Sequence, residues 1–244
     1  MARILVTGGA GYLGCVLCRM LLEKGYQVRI LDRLYFGEKP LGNIINDPNL
    51  EFVKGDIRRL EDFPQLLDDV ESIVHLAGLA NDPSCDLDPE MSLDVNITAT
   101  RRLAENAKQR GIERFVFSSS CSVYGRGEVD LLGEDSDKKP VSVYAMTKLT
   151  AERELTELAD DKFVPVILRN ATLFGPSPRM RFDLAVNQMV ARAVKKGKIL
   201  VFEGGRQWRP FVHVEDAARA CMMCLEAPVD KVRAEVFNVG RDDN

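Results

Sequence analysis

Short apolar runs alternate with longer amphipathic segments along the whole chain. Seven runs have the length and the β-branched, aromatic-rich composition of buried strands: RILVT, QVRIL, LEFVK, SIVHLA, RFVFSS, VPVILR and EVFNVG. Apolar residues recur at helical spacing from Tyr12 to Leu21, before a stop at Gly25. Further helices are predicted near residues 60–69, 91–110, 143–160, 183–196 and 214–226, and loops at 126–140 and 170–183. This alternation predicts an α/β fold, a doubly wound parallel sheet covered by helices on both faces.

A glycine-rich turn, TGGAGYLG, joins the first strand to the first helix. Its glycines can be read as Gly9-x-Gly11-x-x-Gly14 or as Gly8-x-x-Gly11-x-x-Gly14, and the loop alone does not decide between them. With either spacing, glycines permit a tight turn and let a pyrophosphate approach the unpaired N–H groups at the start of a helix. Asp32 ends the second run, where a carboxylate can accept hydrogen bonds from the adenosine ribose. A dinucleotide site is predicted; the alternative is an ordinary glycine-rich turn.

Three charged residues bear on how a dinucleotide would bind, and two of them bear on the choice between NAD and NADP. Asp32 favours NAD, because a carboxylate there binds a free 2′-hydroxyl and repels the 2′-phosphate of NADP. Arg33, the next residue, works against this preference because a guanidinium can meet a phosphate. Asp56, in KGDIRR, follows the third run and is predicted to reach the adenine, although a turn or helix cap is the simpler alternative.

Composition narrows the class of protein. The 244-residue chain is 45% hydrophobic and carries a net charge of −4, so neither nucleic acid nor an anionic membrane is expected as the main partner. Since no apolar run approaches the roughly 18 residues of a membrane span and no cleavable signal is visible, we expect a cytoplasmic protein. Two of its cysteine pairs have C-x-x-C spacing, but both fall within apolar helices, so packing is predicted, with no metal site and no disulfide.

The segment SVYAMTKLTAERE carries the candidate chemistry. Tyr144 and Lys148 are four residues apart on a predicted helix, so both side chains leave the same face. A phenol has a pKa of about 10, and a nearby ammonium is expected to lower it enough for acid/base work. Ser120, in FVFSSSCSVYG, lies at the end of a buried run and is predicted to hydrogen-bond a substrate hydroxyl beside Tyr144. A surface helix pair and a serine that caps a loop are the simpler alternatives.

Taken together, these features resemble the extended short-chain dehydrogenase/reductase family, in its nucleotide-sugar epimerase/dehydratase branch, and in particular the UDP-sugar 4-epimerases. The motifs that carry the resemblance are TGGAGYLG, GDIR, HLAG, SSSCSVYG, YAMTK and RPFVHVEDAARA. The resemblance implies a Rossmann-like fold, bound NAD, and catalytic roles for Ser120, Tyr144 and Lys148. It also selects the spacing through Gly8. The full predicted cofactor site comprises Gly8, Gly11, Tyr12, Leu13, Gly14, Asp32, Arg33, Asp56, Ile57, Leu76, Ala77, Gly78, Asn96, Ser118, Tyr144 and Lys148.

One position bears on the type of reaction. Sugar dehydratases of this family carry an Asp-Glu pair after the residue that matches Ser120, and here those positions are Cys121 and Ser122. Expelling water requires a proton donor, so the resemblance favours 4-epimerisation through a transient 4-keto sugar. A reductase, dehydrogenase or dehydratase acting on a nucleotide sugar is the alternative. A non-catalytic NAD-binding regulator is disfavoured, because Ser120, Tyr144 and Lys148 are all present.

The predicted substrate is a nucleoside-diphosphate sugar linked to UDP, dTDP or GDP. Ser120, Asn170, Arg181 and Arg209 are predicted to bind it, since guanidinium groups suit a diphosphate, whereas His213 is expected to be structural. A dinucleotide-binding domain is predicted over residues 1–170, with 213–240 returning to it, and residues 171–212 are assigned to a substrate lobe. Relatives of this type continue beyond FNVG, so we expect either a shortened lobe or a fragment; a homodimer is also expected.

Overall fold

The computed structural model describes residues 2–126, 131–201, 203–205 and 208–241. Part of the predicted loop at 126–140 and parts of the predicted lobe at 171–212 therefore lie outside the described residues. Nine strands are present in the described residues: β1 Arg3–Thr7, β2 Gln27–Asp32, β3 Leu50–Lys54, β4 Val70–His75, β5 Arg114–Ser120, β6 Val164–Asn170, β7 Thr172–Phe174, β8 Phe211–His213 and β9 Val236–Val239. The eight α-helices of the described ranges are α1 Tyr12–Glu23, α2 Asp82–Leu87, α3 Pro89–Leu93, α4 Ala99–Gln109, α5 Val143–Leu158, α6 Ala185–Lys196, α7 Val214–Glu226 and α8 Val229–Val232.

Seven of the strands form one parallel sheet, which confirms the predicted fold class. Their order is β3-β2-β1-β4-β5-β6-β9, and every neighbouring pair is parallel. The order reverses between β1 and β4, and in such sheets the crevice at the carboxyl ends of these strands is where ligands bind. β7 and β8 form a separate two-stranded sheet. The division into domains at residues 170 and 213 stays a prediction.

Helices cover both faces of the large sheet, because its strands are apolar on both sides. On one face α1 packs against α7, and the core there includes Leu17 and Leu21. On the other face α4 and α5 pack against the sheet through Leu103 and Leu155. Each face therefore has its own hydrophobic core, and the sheet is the layer they share.

The four cysteines of the C-x-x-C pairs lie in the α1–α7 core. Cys15, Cys18, Cys221 and Cys224 are all buried free thiols, and burial raises the pKa of each. Within the described ranges, no group of three or more His, Cys, Asp or Glu residues could hold a metal ion. None of the helices there has both the length and the apolar content needed to cross a bilayer.

The predicted helix at 60–69 is wrong. The structure has a single 3₁₀ turn, Leu60–Asp62, and Phe63 after it is non-helical, with φ −128° and ψ 64°. The cause is Pro64, since a proline disfavours helical dihedrals in the residue before it. The turns that follow are held by the buried guanidinium of Arg29, which donates to three backbone carbonyls of residues 65–68.

Two other segments differ in detail from the sequence prediction. The predicted helix at 91–110 is interrupted by a π-helical turn, Asp94–Thr98, which separates α3 from α4. The predicted loop at 170–183 contains β7, whose pairing with β8 lies about forty residues along the chain and left no local signal.

Candidate active site

A cleft of about 2160 Å³ runs along the carboxyl edge of the large sheet. Its walls come from the glycine-rich turn after β1, the ends of β2, β4 and β5, the first turns of α5, and the segment after β7. Most of the predicted site residues line it: Gly8, Gly11, Tyr12, Leu13, Gly14, Asp32, Arg33, Asp56, Ile57, Leu76, Ala77, Gly78, Ser118, Ser120, Tyr144, Lys148, Asn170, Arg181 and Arg209. Asn96 is the predicted residue that does not.

The glycine-rich turn brings backbone close to backbone at three positions. Gly8 has a φ of +73°, and a Cβ there would lie 2.8 Å from the backbone N of Ala77. A Cβ at Gly14 would lie 2.3 Å from the carbonyl O of Gly8, and one at Gly11 would lie 3.0 Å from the same atom. A side chain at Gly14 would force the first turn of α1 away from the glycine-rich turn, and one at Gly8 would force away the backbone that follows β4, so these glycines are required by the packing.

The first turn of α1 has free backbone donors. The helix begins after Gly11, and no side chain caps it, so the first N–H groups point into the cleft. The Tyr12 side chain faces elsewhere, because its hydroxyl donates to the carbonyl O of Gly175 at 2.7 Å and accepts from Asn187 at 3.0 Å. A ligand in the cleft can therefore contact the backbone of Tyr12, while the Tyr12 hydroxyl links α1 to the segment after β7.

Asp32 stands at the end of β2 with its carboxylate oriented by the backbone. One oxygen accepts from the N–H of Ala10 at 3.0 Å and the other from the N–H of Leu34 at 2.7 Å. Each oxygen keeps a lone pair for a further donor. Arg33 turns away from it, toward Asp56 at 3.1 Å, with its guanidinium 4.6 Å from the centre of the Tyr35 ring.

The Asp56 side chain stabilises a turn, which was the simpler of the two alternatives that the sequence suggested. Its carboxylate accepts from the backbone N–H of Arg58 at 3.0 Å and pairs with the Arg58 guanidinium at 2.7 Å. The side-chain hydrogen bond from Arg58 is the main cause that holds the pKa of Asp56 below its usual value. Asp56 and Ile57 line the cleft; the contact of Asp56 with adenine and the role of Ile57 in binding the cofactor stay predictions.

Asn96 lies behind the turn that follows β4 and does not line the cleft, and its contact with the cofactor stays a prediction. Its Oδ1 accepts from the N–H of Leu79 at 2.8 Å, and its Nδ2 donates to the carbonyl O of Leu79 at 3.1 Å and to Thr147 at 3.0 Å. These bonds use both hydrogens of the amide and one of the two lone pairs of its oxygen. Asn96 therefore positions the turn formed by residues 76–79, which does line the cleft.

Ser120, Tyr144 and Lys148 meet at the centre of the cleft. Ser142 caps α5, accepting from the N–H of Ala145 at 3.2 Å, so Tyr144 and Lys148 lie on its first two turns. The buried Lys148 ammonium donates to the carbonyl O of Ser118 at 2.8 Å and lies 4.7 Å from the centre of the Phe117 ring.

The protonation of this pair differs from the sequence prediction. Burial raises the pKa of Tyr144 to about 12, against smaller lowering effects of a hydrogen bond with Ser120 and of the Arg181 charge. Burial also lowers the pKa of Lys148 to about 8. Lys148 was expected to lower the pKa of the Tyr144 phenol. The net shift of that pKa is upward instead, because the loss of hydration on burial outweighs the effect of the neighbouring positive charges.

Ser122 is a site residue whose role the sequence did not reveal. Ser120 Oγ accepts from the Ser122 hydroxyl at 2.9 Å and from its backbone N–H at 3.2 Å. With two donors already directed at its oxygen, Ser120 is left to donate its own hydrogen toward Tyr144. Cys121, between them, is a protonated thiol because burial raises its pKa.

The predicted substrate residues line the other side of the cleft. Arg181 donates to the carbonyl O of Ala80 at 3.2 Å and pairs with Asp183 at 2.6 Å. Arg209 is exposed at the cleft. Asn170 donates to Ser118 Oγ at 3.0 Å, while its buried Oδ1 has no donor among the described residues.

A buried ion pair supports this edge of the sheet and was also missed. Glu152, one turn beyond Lys148 on α5, pairs with Arg169 at 2.7 Å, and both side chains are 4% exposed. Glu152 also accepts from Ser119, and Arg169 donates to the Tyr124 hydroxyl at 2.8 Å. The spacing of Lys148 and Glu152 was the available signal, since residues four apart share a helix face.

His213 is structural, as expected. It precedes α7, and its Nδ1 accepts from the backbone N–H of Glu215 at 3.3 Å, which caps the helix. Its ring packs edge-on against Phe174, with 5.4 Å between centroids.

Fold and site together define a class: a dinucleotide-dependent enzyme of the short-chain dehydrogenase/reductase type, with a Ser, a Tyr and a Lys in its cleft. The model of the NAD dependent epimerase/dehydratase family matches residues 4–240. The chain belongs to that family, so it is an enzyme and NAD is its cofactor. The glycine-rich turn, the uncapped start of α1 and the free lone pairs of Asp32 fit this dinucleotide.

Individual relatives agree with this family. The chain is 30% identical to UDP-glucose 4-epimerase of Bacillus subtilis, over 97% of this chain and 76% of that protein. UDP-N-acetylglucosamine 4-epimerase of Methanobrevibacter ruminantium, solved with UDP-N-acetylmuramic acid, has a TM-score of 0.88 and 30% identity, over 98% of this chain and 76% of that one. The dTDP-glucose 4,6-dehydratase of Bacillus anthracis, solved with NAD, has a TM-score of 0.87 and 26% identity, over 100% and 76%.

Proposed function

We propose that the protein is an NAD-dependent epimerase that acts at C4 of a nucleoside-diphosphate sugar. The observation that carries this choice within the family is the pair of residues after Ser120. Cys121 and Ser122 both line the cleft, and neither is a carboxylic acid that can protonate a leaving hydroxyl. The named UDP-glucose 4-epimerase relative supports the same choice.

The chain's own residues supply proton transfer and orientation. As the phenolate, Tyr144 accepts the proton of the C4 hydroxyl and later returns one to the C4 oxygen, while Ser120 turns its one hydrogen from Tyr144 to that oxygen. Lys148 and Arg181 supply positive charge that favours the phenolate whenever the proton has left Tyr144. When bound, NAD would supply reversible hydride transfer at C4, so that the hydroxyl can be restored in either configuration. Turnover therefore leaves no net change in the cofactor.

The diphosphate of the substrate is assigned to the two arginines of the cleft. Arg181 presents a guanidinium already oriented by Asp183, Arg209 is exposed at the cleft, and both groups suit phosphate oxygens. Asn170, which lines the cleft at the end of β6, is assigned to the sugar end. UDP, dTDP and GDP all carry the same diphosphate, so the nucleotide is left open.

Tyr144→Phe tests this proposal most directly. The ring and its packing survive, so the fold and NAD affinity should stay unchanged, whereas turnover should fall by about 100-fold or more. The measurement is interconversion of UDP-linked and dTDP-linked C4 epimers in the presence of NAD, with NAD affinity followed by calorimetry. Undiminished turnover in Tyr144→Phe would remove this residue from the mechanism, and failure of the wild-type protein to interconvert any such pair would refute the epimerase proposal.

A reductase or dehydrogenase of the same family is the alternative, and it predicts a different signal. Such an enzyme would consume or accumulate reduced cofactor with every turnover, whereas an epimerase leaves its absorbance constant. Steady loss or gain of the reduced nicotinamide absorbance with a sugar nucleotide would therefore favour the alternative.

We further propose a homodimer in the cytoplasm. Leu93 on α3 and Met146 on α5 are large apolar side chains that are about half exposed, and α3 packs on α5, which gives a second copy an apolar surface. All six cysteines are free thiols, which suits a reducing compartment. Light scattering coupled to gel filtration should give twice the monomer mass, and Met146→Glu should reduce it; a monomeric wild-type protein would refute the dimer.

A further inference from the structure

A histidine lies directly beneath the turn formed by residues 76–79, out of contact with the cleft. His75 is the last residue of β4, and its ring is 1% exposed. Its Nδ1 lies 2.6 Å from Thr7 Oγ1, on β1, and its Nε2 lies 2.8 Å from Thr100 Oγ1, on α4. Both threonines are fully buried, so the three side chains must satisfy one another.

The directions of these hydrogen bonds follow from counting hydrogens. Thr100 gives its one hydroxyl hydrogen to the carbonyl O of Asn96 at 2.9 Å, so it must accept from His75 Nε2–H. Burial, with a contribution from the Lys148 charge, lowers the pKa of His75 to about 3, and the ring is neutral. Its Nδ1 is then an acceptor and takes the hydrogen of Thr7, whose oxygen is left to accept from the N–H of Ala77 at 3.3 Å.

We call the hydrogen-bonded side chains of Thr7, His75 and Thr100 the relay. The relay and Asn96 hold the two ends of the turn formed by residues 76–79. Thr7 fixes the N–H of Ala77, and Asn96 fixes both backbone groups of Leu79. Asn96 is itself held through its carbonyl by Thr100, at the π-helical turn between α3 and α4. The turn packs so closely on Gly8 that a Cβ there would lie 2.8 Å from the backbone N of Ala77.

We propose that His75 is a positioning residue for the cofactor. As the neutral Nε2–H tautomer, it aligns Thr7 and Thr100 so that the turn at residues 76–79 is held against the glycine-rich turn, and the cleft keeps the width that a dinucleotide needs. This inference rests on the assignment of the cleft to NAD and not on the type of sugar reaction.

The tautomer can be measured on the unmodified protein. The chain has only two histidines, so nitrogen-15 NMR of the imidazoles can be assigned with the single variant His213→Gln. The expected result is a protonated Nε2 and an unprotonated Nδ1 on His75. The Nδ1–H tautomer, or a doubly protonated ring at neutral pH, would refute the proposed directions of these hydrogen bonds, independently of any effect on NAD binding.

Two variants test the link to the cofactor. Thr7→Val removes the acceptor of Ala77 N–H, and His75→Phe removes both ring bonds but keeps the aromatic packing on Phe115 and Phe117. Both should weaken NAD binding roughly tenfold or more in calorimetry, because an unmade buried hydrogen bond releases the turn. Affinity of the NAD-loaded protein for the sugar nucleotide should change much less.

Phe115→Leu is the matched control, since it disturbs the same core beside His75 without touching a relay bond. It should lower thermal stability as the relay variants do but leave NAD affinity unchanged. Equal loss of NAD affinity in the control, or unchanged affinity in Thr7→Val and His75→Phe, would show a purely structural role and overturn the proposal. A wild-type protein that binds NAD but epimerises no sugar would contradict the proposed function and leave this inference intact.

Discussion

Lys148→Met should make the protein more stable at neutral pH while removing its activity. The Lys148 side chain is 5% exposed, and burial lowers its pKa from 10.5 to about 8, so at neutral pH it carries a charge that the folded state disfavours. That difference, at about 1.4 kcal/mol per pH unit, amounts to roughly 3 kcal/mol. Methionine has a similar length and no charge. It loses the hydrogen bond to Ser118 and the contact with the Phe117 ring, together about 1–2 kcal/mol. A net gain of about 1–2 kcal/mol follows.

The gain should depend on pH in a defined direction. A lysine whose pKa is lower in the folded state is deprotonated there first, so wild-type stability rises as the pH passes from about 8 to 10.5. The variant has no such group. Its advantage should therefore be full below the folded-state pKa and should fade as the pH passes through 10.5, above which the lysine is neutral in both the folded and the unfolded state.

Urea unfolding of the NAD-free protein at about pH 7 and about pH 10 measures both effects. Lys195→Met, on the exposed side of α6, is the matched control and should change stability by less than about 0.5 kcal/mol at either pH. A Lys148→Met protein that is less stable than wild type at pH 7, or whose advantage does not shrink at the higher pH, would refute the electrostatic reasoning. Turnover should fall to background, because the ammonium beside Tyr144 is gone.

Two further substitutions examine the ends of the cleft. Asp32→Ala should weaken NAD by about 1–3 kcal/mol in calorimetry, since two ribose hydrogen bonds are lost, and wild-type protein should prefer NAD over NADP. Tighter binding of NADP by the wild type would mean that Arg33 leaves Asp56 for the 2′-phosphate. Ser122→Ala should lower kcat by about tenfold, because Ser120 is then no longer compelled to donate toward Tyr144. Ser122→Thr keeps the hydroxyl and should restore most of the rate; equal kcat in Ser122→Ala would exclude this role.

The strands and the nucleotide end of the cleft could be predicted from sequence because their determinants are local. A buried parallel strand is a short apolar run, and the chemistry at its end follows directly in the sequence, as with Asp32 and Ser120. The failed helix at 60–69 was also a local matter: the apolar spacing favoured a helix, but Pro64 prevents Phe63 from adopting helical dihedrals.

What could not be predicted depends on packing between distant segments. The sign of the Tyr144 pKa shift is set by burial, which only the folded cleft creates. The family resemblance implied a place for Asn96 at the cofactor, but the sequence did not show that its amide would bond the backbone of Leu79 from a π-helical turn. The buried pair of Glu152 and Arg169 likewise joins a helix to a strand, and a single sequence does not show which charges pair.

The packing of α7 on α1 and of β9 beside β6 has a consequence for how the chain folds. Helix α1 starts at residue 12, but α7, the helix that packs on it, starts only at residue 214. The large sheet gains its seventh strand only at residues 236–239. During synthesis, the apolar face of α1 therefore stays without its partner until some two hundred further residues have been made. Contacts of such long sequence separation slow folding and leave apolar surface open to association meanwhile. The helix that begins the dinucleotide site, although encoded first, thus gains its packing partner only after residue 214 has been made.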